Sequence, residues 1–160
     1  MNDIKVIILA AGEGKRLRPL TENKPKCLVK VFGKSILEWQ LEIFRKSSIS
    51  NIHIVTGYKS EQITLSKLNY FKNEKYSTTN MVETLFCARE EIEGAVIVSY
   101  GDIIFESKVI DELLKSKEDI SVIIDKKWDV LWDVRFNDPL SDAESLRLDN
   151  SNNIIEIGKK

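Results

Sequence analysis

Gly12, Gly14, Lys15, Arg16 and Arg18, with Lys26 after a turn, crowd one short stretch near the start of this 160-residue chain. Glycines let a backbone turn sharply and come close to a ligand. Backbone N–H groups beside guanidinium and ammonium side chains are the chemical complement of a polyphosphate. Asn80 offers an amide that both donates and accepts, which suits the edge of a pyrimidine base, and it equally suits a plain helix cap. Asp102 follows Gly101 at the end of an apolar run, where α/β proteins bind ligands; a turn aspartate is the competing reading. Trp128, Trp132, Asp142 and Glu144 bring indole faces and carboxylates into one segment, a combination suited to a cationic amine or quaternary ammonium. An ordinary helical turn that pairs the two tryptophans at i,i+4 competes with that reading.

Two familiar phosphate loops do not fit the stretch. A Walker A loop requires Gly five positions before the Gly-Lys pair and Ser or Thr after it, and this chain has Leu9 and Arg16 there. A dinucleotide fingerprint requires a third Gly where Leu17 stands, so Gly12 and Gly14 alone carry little weight against a solvated glycine turn.

The elements that must hold these residues follow from hydrophobic patterning. Ile4 to Ala10 reads as a strand buried on both faces, in the middle of a parallel sheet. Ser35 caps a helix from Ile36 to about Lys46 whose inner face carries Ile36, Leu37, Trp39, Gln40, Leu41, Ile43 and Phe44. Ile52 to Thr56 is a second strand, Glu61 to Leu68 a weak helix and Tyr70 to Lys72 a short strand. A polar loop over 73–80 leads to a helix capped by Thr79 or Asn80 and running to about Glu91, with Met81, Leu85, Ala88 and Ile92 at helical spacing. Ala95 to Ser99 is a buried strand, Ser107 caps a helix over Lys108 to Lys115, and Ile120 to Ile124 is a further buried strand. Leu146 to Asp149 and Ile154 to Ile157 read as a hairpin. The fold class is therefore α/β, a mainly parallel sheet covered by helices in a single domain and ending in a hairpin.

Composition narrows the partners. With 24 cations against 25 anions and a formal charge of -1, the chain has no global attraction for nucleic acid or membrane. No apolar run approaches membrane-spanning length. Cys27 and Cys87, two and far apart, suggest reduced thiols that serve packing in a cytoplasmic protein. His53, the only histidine, receives no role.

The string Leu9-Ala10-Ala11-Gly12, Gly14, Arg16-Leu17, Pro19-Leu20-Thr21, then Lys24-Pro25-Lys26 and Leu28, resembles the signature of nucleotidyltransferases that build sugar nucleotides and related CDP-alcohols. That resemblance implies a Rossmann-like nucleotidyltransferase fold. It implies a loop of Leu9, Ala10, Ala11, Gly12 and Gly14 wrapped around an NTP, and Arg16 and Lys26 on its phosphates. It further implies that Asp102 holds Mg²⁺. The segments Thr79-Asn80-Met81-Val82 with Thr84, Asp125-Lys126 with Trp128 and Trp132, Pro139-Leu140 with Asp142-Ala143-Glu144, and Ile155-Glu156 with Gly158-Lys159-Lys160 are similar to one branch. These are the cytidylyltransferases that activate phosphocholine, 2-aminoethylphosphonate or phosphoglutamine for surface polysaccharides. In that branch a segment like this one places Asn80 on the base. The expected activity is Mg²⁺-dependent transfer of CMP from CTP to a small phosphorylated or phosphonate acceptor, with Trp128, Trp132, Asp142 and Glu144 at the acceptor. A sugar-1-phosphate enzyme using another NTP, and a non-catalytic nucleotide-binding module, remain as alternatives, and a homodimer is left open. Members of the family continue beyond the hairpin with more strands, part of the acceptor pocket and a second metal-binding Asp, so the expectation is a catalytic domain that lacks its C-terminal part.

Overall fold

The structure, a computed structural model, describes residues 4–141, 143 and 145–158; Asp142 and Glu144 lie outside the described residues. The chain divides into two compact units, one ending at Asp119 and one beginning at Ile120.

In chain order the first unit contains β1 (Lys5–Ala10), the short strands β2 (Lys30–Val31) and β3 (Lys34–Ser35), α1 (Ile36–Lys46), β4 (Asn51–Thr56) and β5 (Asn69–Lys72). It closes with α2 (Met81–Phe86), β6 (Val96–Tyr100) and α3 (Ser107–Leu113). β1, β4, β5 and β6 form one parallel sheet in the order β5-β4-β1-β6, with Ile7 of β1 opposite His53 on one side and Val98 on the other. β2 and β3 pair as a small antiparallel ribbon.

The apolar run of β1 is explained by its two neighbours. Successive side chains of a strand point to opposite faces. Val6 and Ile8 therefore pack with Leu37, Leu41 and Phe44 of α1, Ile54 of β4 and Ile110 of α3. Ile7 faces the other way, toward Val55 and Ala88, with Leu85 of α2 against them. Helices thus cover both faces, as the sequence pattern predicts.

α1 has the bounds expected of it because its start is doubly fixed. The Ser35 hydroxyl accepts from the Glu38 backbone N–H at 3.2 Å, and the Glu38 carboxylate accepts from the Ser35 N–H at 2.7 Å. These bonds satisfy donors that a helix start otherwise leaves unpaired, and the Ser35 hydroxyl, which also donates to the Glu38 carboxylate at 2.6 Å, together with the Ser35 N–H holds that carboxyl below its ordinary range. Ser35→Ala is expected to lower unfolding free energy by about 1 kcal/mol, read as a lower urea midpoint at unchanged slope. An unchanged midpoint would show that the cap contributes nothing.

Elsewhere the structure departs from the sequence-based expectations. Ile120 to Ile124 is not a strand: Ile120 is 86% exposed, and Val122 and Ile123 are about half exposed. β-propensity alone does not make a strand, because backbone groups need a ladder partner, and none pairs there among the described residues. β6 is an edge strand rather than a buried one. Among the described residues it pairs with β1 alone, and Val98 and Tyr100 are about half exposed.

The weak helix over 61–68 reduces to a 3-10 turn at Ser60–Gln62, after which Ile63, Leu65 and Leu68 meet the core from irregular backbone. The helix expected to reach Glu91 stops at Phe86 and is followed by a 3-10 turn at Arg89–Glu91, and Met81 is exposed rather than inward. α3 is capped at Glu106, without a side-chain bond, and Ser107 is its first residue.

The second unit holds α4 (Trp128–Arg135) and the antiparallel hairpin of β7 (Leu146–Leu148) and β8 (Ile154–Ile157). The hairpin turn is fastened by Asp149, whose carboxylate accepts from the Ser151 and Asn153 N–H groups, both at 2.8 Å. No helix among the described residues is long and apolar enough to cross a membrane.

Candidate nucleotide site

β1 lies between β4 and β6, so the chain leaves β1 toward one side of the sheet and returns to it from the other. Loops that diverge from neighbouring parallel strands open a crevice at their carboxyl ends. A cavity of about 410 Å³ lies there. Its lining includes Leu9, Ala10, Ala11, Gly12, Gly14 and Arg16 from the first loop, together with Lys26, Asn80 and Asp102. All nine residues singled out for nucleotide, phosphate and metal therefore meet in one place.

The first loop is shaped from within. Gly14 has φ of 64°, and a Cβ there would stand 3.1 Å from Lys26 Cβ and 3.2 Å from Thr21 Cγ2. Both the left-handed backbone and the tight packing call for glycine. Buried Thr21 donates its hydroxyl to the Gly14 carbonyl at 2.8 Å, tying the tail of the loop to its turn. The carboxylate of Glu13 lies 3.2 Å from Lys15 Nζ and 3.9 Å from Arg18. The loop's own carboxylate therefore attends two of its cations, and Glu13, Lys15 and Arg16 all line the cavity.

Lys26 donates to the Asp102 carboxylate at 2.5 Å, across a separation of 76 residues. The Asp102 side chain is 35% exposed and that of Lys26 27%, so the pair sits at the mouth of the cavity. Among the described residues no group of three or more His, Cys, Asp or Glu could hold a metal. A lining with two carboxylates, Asp102 and Glu13, does not make an all-protein cage. It does fit Mg²⁺, which keeps several waters and takes one or two carboxylates plus substrate phosphates. Cys27, next to Lys26, contributes no nucleophile: burial pushes its thiol up to about 12.

Asn80 caps α2, its side-chain oxygen accepting from the Val82 and Glu83 N–H groups at 3.0 and 3.1 Å. The cap engages only Oδ1, so the amide nitrogen retains its donors for other use. The loop before it is organised by Asn73, which sequence reasoning passed over. Asn73 is buried, and its Nδ2 donates to the Thr79 and Thr84 hydroxyls at 2.9 and 3.0 Å while its Oδ1 accepts from the Lys75 N–H at 2.9 Å. Gly57 and Gly101 were also missed. A Cβ on Gly57 would fall 2.7 Å from the Ala11 carbonyl oxygen and from Tyr76 Cβ, and one on Gly101 would fall 2.8 Å from the Leu9 carbonyl oxygen. Their signal in the sequence is a glycine immediately after each strand.

Of the expected acceptor residues, Asp142 and Glu144 lie outside the described residues. Trp128 and Trp132 belong to α4 of the second unit and meet edge to face, with ring centroids 6.2 Å apart. The Arg135 guanidinium lies 4.8 Å from the Trp132 ring centre, so the chain supplies its own cation to that indole. His53 is buried and among the described residues neither ring nitrogen has a hydrogen-bond partner, the Glu91 carboxylate lying 3.6 Å from Nε2; burial holds its pKa below the ordinary value, in keeping with a packing residue.

Comparison with known proteins identifies relatives of this chain. The model of the MobA-like NTP transferase domain matches residues 6–145. The chain is 40% identical over 168 aligned residues to CTP:phosphoglutamine cytidylyltransferase of Campylobacter jejuni, an alignment covering 98% of this chain and 66% of that protein. It is 37% identical over 117 residues to choline-phosphate cytidylyltransferase of Streptococcus pneumoniae, covering 71% of this chain and 51% of that one.

The solved structure of the Streptococcus pneumoniae CTP:phosphocholine cytidylyltransferase superposes with a TM-score of 0.61 at 37% identity, over 68% of this chain and 50% of that chain. The inositol-1-phosphate CTP transferase of T. maritima superposes with a TM-score of 0.70 over 98% of this chain and 64% of that chain; at 22% identity it shows a shared fold. The chain thus spans between half and two thirds of the length of these relatives. A glycine loop on the central strand, a carboxylate on its neighbour and a family match over most of the sequence converge: the chain belongs to the MobA-like NTP transferase family.

Proposed function

We propose that the protein is a cytidylyltransferase that moves CMP from CTP to a small phosphorylated or phosphonate headgroup of the phosphocholine, 2-aminoethylphosphonate or phosphoglutamine type. The observation that carries this reading is the meeting of Gly12, Gly14, Arg16, Lys26 and Asp102 in one cavity at the ends of β1 and β6. Two relatives that align over most of this chain and carry cytidylyltransferase names support the nucleotide.

In the reaction a phosphate or phosphonate oxygen of the acceptor attacks the α-phosphorus of CTP. The bond from that phosphorus to the bridging oxygen breaks, and pyrophosphate departs with the electron pair. An ionised acceptor oxygen is already a nucleophile, so no general base is required. The protein's task is alignment and charge compensation. Gly12 and Gly14 admit the triphosphate close to the backbone, Arg16 braces it, and Lys26 turns from Asp102 toward the reacting phosphate. Asp102 holds Mg²⁺, which when bound supplies neutralisation of the phosphate oxygens. Asn80 offers its amide to the base, and Trp128, Trp132, Asp142 and Glu144 are assigned to the acceptor headgroup.

A thermal-shift panel of CTP, UTP, dTTP, GTP and ATP with Mg²⁺ tests the nucleotide. CTP is expected to stabilise most, by about 2.7 kcal/mol at a hundred times its Kd. Greater stabilisation by a purine or thymidine nucleotide would overturn the cytidylyl reading in favour of another NTP.

A further inference from the structure

Asp102, paired with Lys26, stands on a turn outside the regular elements. Residues 101–106 belong to no helix or strand; Tyr100, Ile103 and Ile104 are each roughly half exposed, while Gly101 is buried and Phe105 packs edge to face on Phe44 of α1 with ring centroids 5.6 Å apart. On one side the Gly101 N–H donates to the Leu9 carbonyl at 2.8 Å. The remaining support comes from α1. Its buried residues are Ile36, Leu37, Gln40, Leu41, Ile43 and Phe44, and within that apolar stripe Gln40, 1% exposed, is the polar exception.

The Gln40 amide nitrogen donates to the Tyr100 carbonyl at 2.9 Å and to the Ile103 carbonyl at 2.7 Å, and its oxygen lies 3.3 Å from the Ser99 hydroxyl that donates to it. Carbonyl oxygens only accept, so the amide has one usable orientation and both of its N–H donors are spent on the turn. The two carbonyls bracket Gly101 and Asp102. A buried amide with its hydrogen-bonding groups paired in this way is rigid, and losing it would take the donor from the Ile103 carbonyl and leave the Tyr100 carbonyl to the Ser99 hydroxyl at 3.3 Å.

We propose that Gln40 is a positioning residue for Asp102. It touches no substrate; it clamps the backbone on both sides of the aspartate so that the carboxylate is presented beside Lys26 at the cavity mouth. The inference rests on the proposed cytidylyl reading for the use of Asp102, and on the hydrogen bonds alone for the clamp.

The test uses Gln40→Met in the complete gene product, which keeps side-chain length and removes the amide. Amide hydrogen exchange over residues 101–104 is expected to accelerate about tenfold or more, with β1 and β4 unchanged. The Mg²⁺ concentration giving half-maximal CTP turnover is expected to rise on the order of tenfold, with the affinity for CTP measured without metal unchanged. A lower melting temperature with unaltered exchange over 101–104, or with an unaltered Mg²⁺ response, would reduce Gln40 to a packing residue and overturn the proposal.

Ser99→Ala keeps Gln40 and removes the hydroxyl that lies 3.3 Å from both the Gln40 oxygen and the Tyr100 carbonyl, so it loosens the clamp without deleting it and serves where Gln40→Met does not fold. A two- to threefold shift of the Mg²⁺ response in the same direction, about the weight of one weak hydrogen bond, is expected, and no shift overturns the proposal. A wild-type protein that shows no Mg²⁺-dependent CTP binding would sink the cytidylyl reading and this inference together, an outcome told apart because it needs no variant.

Discussion

Asp102→Asn is expected to lower Mg²⁺-supported pyrophosphate release by the complete gene product about a thousandfold, because a neutral amide oxygen replaces the carboxylate that faces the cavity. Asn keeps the shape of the side chain, so the turn of residues 101–103 and its bonds to Leu9 and Gln40 survive. The lost ion pair with Lys26 is partly exposed at both ends, and its removal is expected to change stability by less than about 1 kcal/mol. The sign of a second effect is more telling. Without metal, Asp102 holds Lys26 and repels a triphosphate, so the variant is expected to bind metal-free CTP more tightly than wild type in calorimetry. Metal-dependent turnover that survives the substitution would refute the assignment of Asp102.

Lys26→Met should reduce kcat/KM by about 10²- to 10³-fold, the range for losing one preorganised charge at a phosphoryl centre. Here metal-free CTP binding is expected to weaken, since the variant both loses a cation and exposes the Asp102 carboxylate to the incoming phosphates. The two substitutions break the same 2.5 Å contact, yet they are expected to move metal-free affinity in opposite directions. Loss of the contact alone would move both the same way. Calorimetry with and without Mg²⁺ on the pair therefore separates electrostatic roles from general damage. A Lys26→Met protein with wild-type kcat/KM would remove Lys26 from the mechanism.

What could be read from the sequence was what is local. The first loop is contiguous from Leu9 to Lys26, and each of its demands falls on a residue type at a fixed offset. α1 was legible because Ser35 is an N-cap residue directly before an apolar-periodic run; the reciprocal bond from Glu38 came with the structure. Asp102 was legible because a carboxylate after an apolar run marks the ligand edge of a parallel sheet.

The failures share a cause, which is dependence on a partner distant in sequence. Ile120 to Ile124 has the composition of a strand, but a strand exists only with a neighbour. Gln40 was visible as a polar residue on an apolar face, and nothing near it in sequence shows that its amide reaches a turn 60 residues on. The Lys26–Asp102 contact and the Asn73 hub are likewise products of folding. The i,i+4 pairing of Trp128 and Trp132 was foreseen as one of two readings, but the Arg135 guanidinium over Trp132 was not.

The bond from the Gly101 N–H to the Leu9 carbonyl has an evolutionary side. It staples the loop that would receive the nucleotide to the turn that would receive the metal, one residue past the parallel register of their parent strands. A lineage that lengthens or shortens either strand end displaces both devices at once. Innovation in such a protein is therefore channelled away from β1 and β6 and toward segments that the register does not tie down, where a new acceptor can be tried without disturbing the inherited chemistry.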